Sequence, residues 1–285
     1  METEIRGIQY FVDIHGSGPP LLLLHGFTGS HKTWEPFIPV FSKKYQTITV
    51  DLIGHGNTEA PTHPDRYAIE QAADDLIELL SHLNIEKTHV LGYSMGGRLG
   101  LMLACRHPSR IQSLILESCS PDLKTEHDRK ERIESDEKLA RFLEQNGIEA
   151  FIDYWEDIPL FQTQKRVRLE DRATLRHIRT QHQVVGLANS LRGMGAGQQP
   201  SLWSKLPSLP MPVLLIAGAL DKKYVAIAHE MSELLKQSEK VIVEDAGHTV
   251  HFEKKEAFIE VTTHFLQQFK EASFNDNPMG KNKRL

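Results

Sequence analysis

Eight residues, Leu91-Gly92-Tyr93-Ser94-Met95-Gly96-Gly97-Arg98, constrain the fold of this chain more than any other stretch. An apolar run, Thr88 to Leu91, leads into them, and a helical pattern, Arg98 to His107, leads out. A serine flanked by glycines at such a junction reads as a strand passing straight into a helix. The turn is strained and lifts the hydroxyl clear of the sheet edge. Glycine is required because neighbouring strands leave no room there for Cβ atoms. A bare G-x-S-x-G recurs by chance, so the reading depends on what the rest of the chain supplies.

The rest of the chain alternates strand-like and helix-like patterns, which predicts an α/β fold with a mostly parallel sheet. Ile5 to Ile14 alternates loosely and reads as one strand. Leu21 to Leu24, Thr47 to Asp51, Thr88 to Tyr93, Ile111 to Glu117, Val213 to Gly218 and Lys240 to Val243 are short apolar runs suited to strands buried on both faces. Ala68 to Leu83 and Glu253 to Phe269 carry apolar residues at helical spacing. The alternation breaks between about 120 and 206, a helix-rich stretch with many arginines. It reads as a helical cap (120–206) inserted into a core made of 1–119 and 207–270. The last residues, 271–285, are polar, basic and without periodicity, and are expected to be a disordered tail.

Composition removes several classes. A chain of 285 residues, 40% hydrophobic and 25% charged, has the make-up of a globular protein with a full core. A formal charge of −5 offers no footprint for nucleic acid. No apolar run reaches the roughly 18 residues that span a bilayer. The N-terminus has no apolar signal segment, and Cys105 and Cys119 have neither metal nor redox spacing, so a cytoplasmic setting is expected.

A serine nucleophile needs a base, an acid to orient that base, and an oxyanion site. His248 follows the run Lys240 to Val243, and Asp221 follows Val213 to Ile216, each on a loop at a strand end. Asp221 would fix the imidazole of His248, which would accept the Ser94 proton. The loop after Leu24, His25-Gly26-Phe27-Thr28-Gly29, can aim the Phe27 N–H at the same point as the Met95 N–H, forming an oxyanion site. With 15 histidines present, His251 is the obvious decoy for the base, and Asp51 is a remote alternative acid.

With Ser94, Asp221 and His248 in that order, the chain resembles the α/β-hydrolase superfamily from Ile5 to Phe269. Arg98 is unusual for an esterase of this type, since it shares a helix face with Ser94 and would bring a guanidinium to the site. Taken with Glu117-Ser118-Cys119-Ser120-Pro121 and Ala246-Gly247-His248, the string Gly92 to Arg98 resembles the MenH family, the 2-succinyl-6-hydroxy-2,4-cyclohexadiene-1-carboxylate synthases of menaquinone biosynthesis. That resemblance implies a lyase expelling pyruvate from 2-succinyl-5-enolpyruvyl-6-hydroxy-3-cyclohexene-1-carboxylate, with no metal or organic cofactor. The partner is a small polycarboxylate, and the family lines its pocket with arginines to bind it.

By that resemblance Arg98 is one such residue, either Arg129 or Arg132 a second, and Arg179 a third. Tyr93, and one or both rings of the pair Tyr154-Trp155, would contact substrate. Between Phe161 and Arg192 seven Lys and Arg stand against Glu170 and Asp171, a local basic excess that suits a polyanion. The alternatives are a serine hydrolase acting on an ester or carbon–carbon bond, and a non-catalytic binding protein on the same fold. The sequence leaves the oligomeric state open.

Overall fold

The computed structural model describes residues 1–269; the tail expected at 271–285 lies outside them. The strands are β1 (Glu2–Ile5), β2 (Ile8–His15), β3 (Pro20–Leu24), β4 (Gln46–Val50), β5 (Thr88–Tyr93), β6 (Ile111–Glu117), β7 (Val213–Gly218) and β8 (Ser238–Val243). They form one sheet in the order β1-β2-β4-β3-β5-β6-β7-β8. From β4 to β8 each neighbouring pair is parallel, while β1 and β2 pair antiparallel with their neighbours.

The single strand expected over Ile5 to Ile14 is instead a hairpin. Arg6 and Gly7 both have positive φ, 48° and 78°, which gives the tight two-residue reversal that matches strand twist. An arginine in the first turn position hides that reversal from a composition-based reading.

The apolar runs are continuous because both faces of the sheet are covered. Leu22, Leu24, Val90, Leu114, Leu116, Val213 and Leu215 face one apolar cluster. It is completed by Leu76 and Leu79 of α2 (Ile69–His82), Leu99 and Leu103 of α3 (Met95–Arg106), and Met231 of α7 (Lys222–Leu234). The alternate residues Leu21, Leu23, Leu91, Ile115, Leu214 and Ile216 face the other, with Phe41 of α1 (Ile38–Phe41) and Phe258 and Phe265 of α9 (Lys255–Gln267). The helix expected over Glu253 to Phe269 is broken at Lys254 (φ −140°, ψ 62°), which separates the short α8 (Val250–Glu253) from α9.

Between β6 and β7 the chain forms α4 (Glu126–Asp157), α5 (Leu169–Thr180), α6 (Val184–Met194) and 3-10 turns, and no strand. Gly147, at φ 81°, kinks α4. Ala140, Leu143, Phe151 and Ile152 of α4 meet Leu187, Ala188 and Leu191 of α6 in a separate apolar cluster. This helical insertion meets the sheet loops through close backbone contacts. A Cβ on Gly186 would collide with the Gly54 carbonyl, and one on Gly247 with the Thr163 side chain. No described helix is long and apolar enough to cross a membrane.

Candidate active site

The parallel strands end together, so the loops after β3, β5, β7 and β8 meet at one edge. β5 ends at Tyr93 and α3 begins at Met95, leaving Ser94 alone to turn the chain at φ 50°, ψ −107°. A non-glycine residue in that region is strained, and the surroundings hold it there. Its N–H donates to the Glu117 carbonyl of β6 at 2.8 Å, and its carbonyl accepts from the Arg98 N–H at 2.9 Å. A Cβ on Gly96 would run into the carbonyls of Leu24 and His25, and one on Gly92 into the Gly96 backbone. The turn therefore fits only with glycine at both places.

The Ser94 hydroxyl donates to His248 Nε2 at 3.1 Å, and His248 Nδ1–H donates to Asp221 Oδ2 at 2.7 Å. A carboxylate can only accept, which fixes the imidazole tautomer and leaves Nε2 free to take a proton. His248 is 1% exposed and the Asp221 side chain 8%, so the relay is shielded from water. The other oxygen, Asp221 Oδ1, accepts the Tyr224 N–H at 3.3 Å and caps α7. A carboxylate at a helix N-terminus is stabilised by the helix dipole.

Across from this relay, the Gly26 carbonyl accepts the Gly29 N–H at 3.0 Å and the His25 Nδ1–H at 2.8 Å. In a trans peptide the N–H points opposite to the carbonyl, so holding the Gly26 carbonyl also aims the Phe27 N–H. His25 Nε2 in turn accepts the Leu52 N–H at 3.0 Å, tying the β3 loop to the β4 loop. Burial lowers the His25 pKa to about 4, so the ring is neutral and both bonds have one consistent tautomer. Among the described residues, the N–H groups of Phe27 and Met95 donate to no protein acceptor.

The positive groups divide sharply. Arg98 donates from Nη1 to Gln199 Oε1 at 2.9 Å and from Nη2 to the Met194 carbonyl at 2.8 Å, and makes no ion pair among the described residues. Burial, with the Arg132 charge acting in the same direction, pulls its pKa down to about 10. Arg132 donates from Nε to Asp136 at 2.8 Å and is otherwise partly exposed. Arg129 is paired with Asp122 at 2.9 Å. Arg179, nearly buried, lies 5.1 Å over the Phe161 ring and donates to Glu156 (3.2 Å) and Gln164 Oε1 (3.3 Å). Gln164 Nε2 donates to Thr249 Oγ1 at 2.9 Å, and Thr249 shares a 2.8 Å hydrogen bond with the Tyr93 hydroxyl. The chain thus runs from Arg179 to a ring 5.6 Å from His248.

Trp155 packs edge-on against Phe27 at 5.3 Å, and its buried indole N–H has no partner among the described residues. Outside Phe161, Gln164 and Arg179 lies a groove of about 300 Å³ between α4 and α5. Among the described residues, no group of three His, Cys, Asp or Glu side chains is arranged to hold a metal. Burial pushes the thiols of Cys105 and Cys119 up to about 11 and about 12, so neither is a ready nucleophile.

The pattern of the alpha/beta hydrolase fold family matches residues 19–255. The chain belongs to the α/β-hydrolase fold family. It is 43% identical over 266 residues, 93% of this chain and 97% of the other, to a Bacillus subtilis protein provisionally named 2-succinyl-6-hydroxy-2,4-cyclohexadiene-1-carboxylate synthase. It is 30% identical to the Enterobacter protein of that name, over 84% of this chain and 88% of the relative. MenH from S. aureus superposes with a TM-score of 0.87 at 33% identity, covering 91% of this chain and 98% of that one. A thermophilic esterase from Thermogutta terrifontis superposes at 0.82 with 25% identity, covering 94% and 98%.

Within this α/β-hydrolase, Ser94, Asp221 and His248 come together from three loops. His251 does not compete as the base, because its Nδ1–H is given to the buried Glu117 at 2.8 Å. Asp51 is held by His31 and the Asn57 N–H, and takes no part in the relay. Of the aromatic pair, Tyr154 is 50% exposed and packs on Phe142, while Trp155, one turn past the buried Phe151, turns inward and stacks on it. Of the two arginines left open, each pairs with one carboxylate, Arg129 with Asp122 and Arg132 with Asp136, and Arg132 is the one whose charge bears on Arg98. The basic excess is mostly spent locally: Lys165, Arg166, Arg168, Arg176 and Arg192 all pair with neighbouring carboxylates.

Sequence reasoning missed Gln199, Gln164 and Thr249, which carry no motif. It also missed Tyr224, whose ring lies 4.6 Å from that of His248. Tyr224 had a usable signal, being three residues past Asp221 in the first turn of α7.

Proposed function

We propose that this protein is a cytoplasmic lyase that expels pyruvate from 2-succinyl-5-enolpyruvyl-6-hydroxy-3-cyclohexene-1-carboxylate. The product is 2-succinyl-6-hydroxy-2,4-cyclohexadiene-1-carboxylate. Residues 120–206 act as a cap over the core formed by 1–119 and 207–270. The observation that carries the reading is Arg98, a guanidinium one helical turn from Ser94 that makes no ion pair among the described residues. Its charge is available to an anionic substrate, and an ordinary ester would have no use for it. The similarity to proteins named for this activity supports the same reading.

In the mechanism, His248, oriented by Asp221, takes the Ser94 proton, and the Ser94 oxygen removes the proton from the ring carbon that bears the succinyl ketone. The electron pair builds negative charge on the ketone oxygen, where the Phe27 and Met95 N–H groups receive it. As that charge returns, the ring double bond shifts and the bond to the enolpyruvyl oxygen breaks. The enolpyruvate takes up a proton at carbon and leaves as pyruvate. Arg98, Arg132 and Arg179 bind substrate carboxylates, Tyr93 and Trp155 flank the reacting carbons, and no bond between Ser94 and substrate is needed.

The test is incubation with the enolpyruvyl substrate, following pyruvate release alongside intact-mass analysis of quenched turnover. Pyruvate without a covalent adduct is the expected result. The shared triad and the esterase likeness keep a serine hydrolase as the second reading, and an acyl adduct on Ser94 without pyruvate would favour it.

A further inference from the structure

Burying an arginine requires acceptors, and the usual acceptor is a carboxylate, which cancels the charge. Arg98 is treated differently. Its two terminal nitrogens donate to a side-chain amide oxygen and a backbone carbonyl, both neutral. The amide belongs to Gln199, 1% exposed, in the segment between α6 and β7. Its orientation is dictated by the surroundings. Gln199 Nε2 donates to the Pro121 carbonyl at 2.7 Å, and a carbonyl can only accept, so the amide NH₂ faces Pro121 and Oε1 must face Arg98. The amide is a two-ended strut between the loop after β6 and the guanidinium.

Two carboxylates stand close by and are kept from Arg98. Asp136 is engaged by Arg132 and packs against Gly195, and Asp122 is engaged by Arg129. Each retains one buried oxygen with no partner among the described residues, so the acidic groups are held back by other arginines while Arg98 receives the amide.

We infer that Gln199 is a positioning residue: it fixes the Arg98 guanidinium through a neutral acceptor so that its full positive charge remains for a substrate carboxylate. The inference rests on the reading of Arg98 as a carboxylate-binding group. It makes residue 199 a determinant of specificity for anionic substrates, although Gln199 itself need touch no reacting atom.

A double-mutant cycle on pyruvate release tests it. Gln199→Glu keeps the shape and an acceptor for Arg98 but adds the charge the native residue avoids. It is expected to raise KM about tenfold or more while kcat changes less; the lost hydrogen bond to Pro121 lowers the melting temperature whether residue 98 is Arg or Ala, whereas the KM effect should need Arg98. Gln199→Leu removes the strut and should also raise KM, but the loss should vanish when Arg98 is already Ala, because both changes then act through one group. If Arg98→Ala alone leaves KM and kcat untouched, the Arg98 reading fails. If Arg98→Ala is damaging, while Gln199→Glu keeps native KM or Gln199→Leu is fully additive with it, the strut is overturned and the Arg98 reading stands. Should Gln199→Leu fold poorly, the isosteric Gln199→Glu decides alone.

Discussion

Arg98, on the core helix α3, donates to an amide and a backbone carbonyl; Arg192, on α6 of the insertion, donates to Glu137 and Glu144. Arg176, on α5, is likewise tied to Glu149, Asp153 and Glu156. Arg98 departs from these and also from the core's own Arg66 and Arg106, which pair with Asp75 and Asp74. In the insertion, charge is consumed within and between helices on the outer side of the apolar cluster that α4 and α6 share. In the core, apolar packing on both sheet faces already holds the fold, so an arginine there can be left without a counter-charge. Basic content alone says little about a binding site; what matters is which cations have been left unneutralised.

Four measurements can break or sharpen this contrast. The largest effect is expected at the core edge. Ser94→Ala should remain folded and lose turnover by on the order of a thousandfold or more, and near-native pyruvate release would remove Ser94 from the reaction. Next comes Arg98→Ala, with an expected loss of roughly 2–5 kcal/mol in transition-state binding, which Arg98→Lys recovers only in part because an ammonium lacks the planar fork. An equal loss from Arg192→Ala, with the protein still folded, would erase the distinction between the regions.

A third measurement concerns acid. Burial holds the His25 pKa near 4, below its ordinary value, so between about pH 6.5 and 4 the unfolded chain binds a proton that the folded one refuses. Stability from this group is full above about 6.5 and is lost as pH falls toward 4, by on the order of 3 kcal/mol. Glu137, beside Arg192, stays ionised down to about pH 2, so that pair of the insertion outlasts the window. Denaturant unfolding of His25→Asn between pH 7 and 4.5 should show a flatter loss than the native chain; an unchanged slope would place the acid sensitivity elsewhere. Smallest is Arg176→Ala, whose partly exposed pairs should contribute about 0–1 kcal/mol to stability and leave pyruvate release unaffected.

The same contrast accounts for what could be read from the residues. Strand ends such as Tyr93, Glu117 and Gly218 were visible because runs buried on both faces stop where loops begin. Ser94, Asp221 and His248 each sit just past such a stop. The hairpin at Arg6-Gly7 was not visible, since arginine carries no turn signature, and neither was the break at Lys254. In the insertion, the sequence shows how many arginines there are but not which have partners. Arg176 and Arg179 are three apart on α5 and share Glu156, yet one is tied to two further carboxylates near the surface and the other points inward to Gln164. Partners of that kind lie far along the chain, as with Gln199 and Arg98, and local spacing carries no trace of them.

The glycine seats beneath the insertion have a consequence for how such a protein can change over time. Gly54 with Gly186 is a joint of backbone on backbone, and at Gly247 the backbone rests directly on the Thr163 side chain, with no space left at either. A joint of that kind has no tolerance. Side chains facing solvent on α4 and α5 can be exchanged freely, but a helical segment borrowed from a relative would settle properly only if it brought the matching half of each joint. Since one joint lies at Gly247, next to His248, a poor graft would be felt first at the imidazole. Diversification of this scaffold is therefore expected to proceed by repainting the insertion in place, one residue at a time, and seldom by replacing it whole.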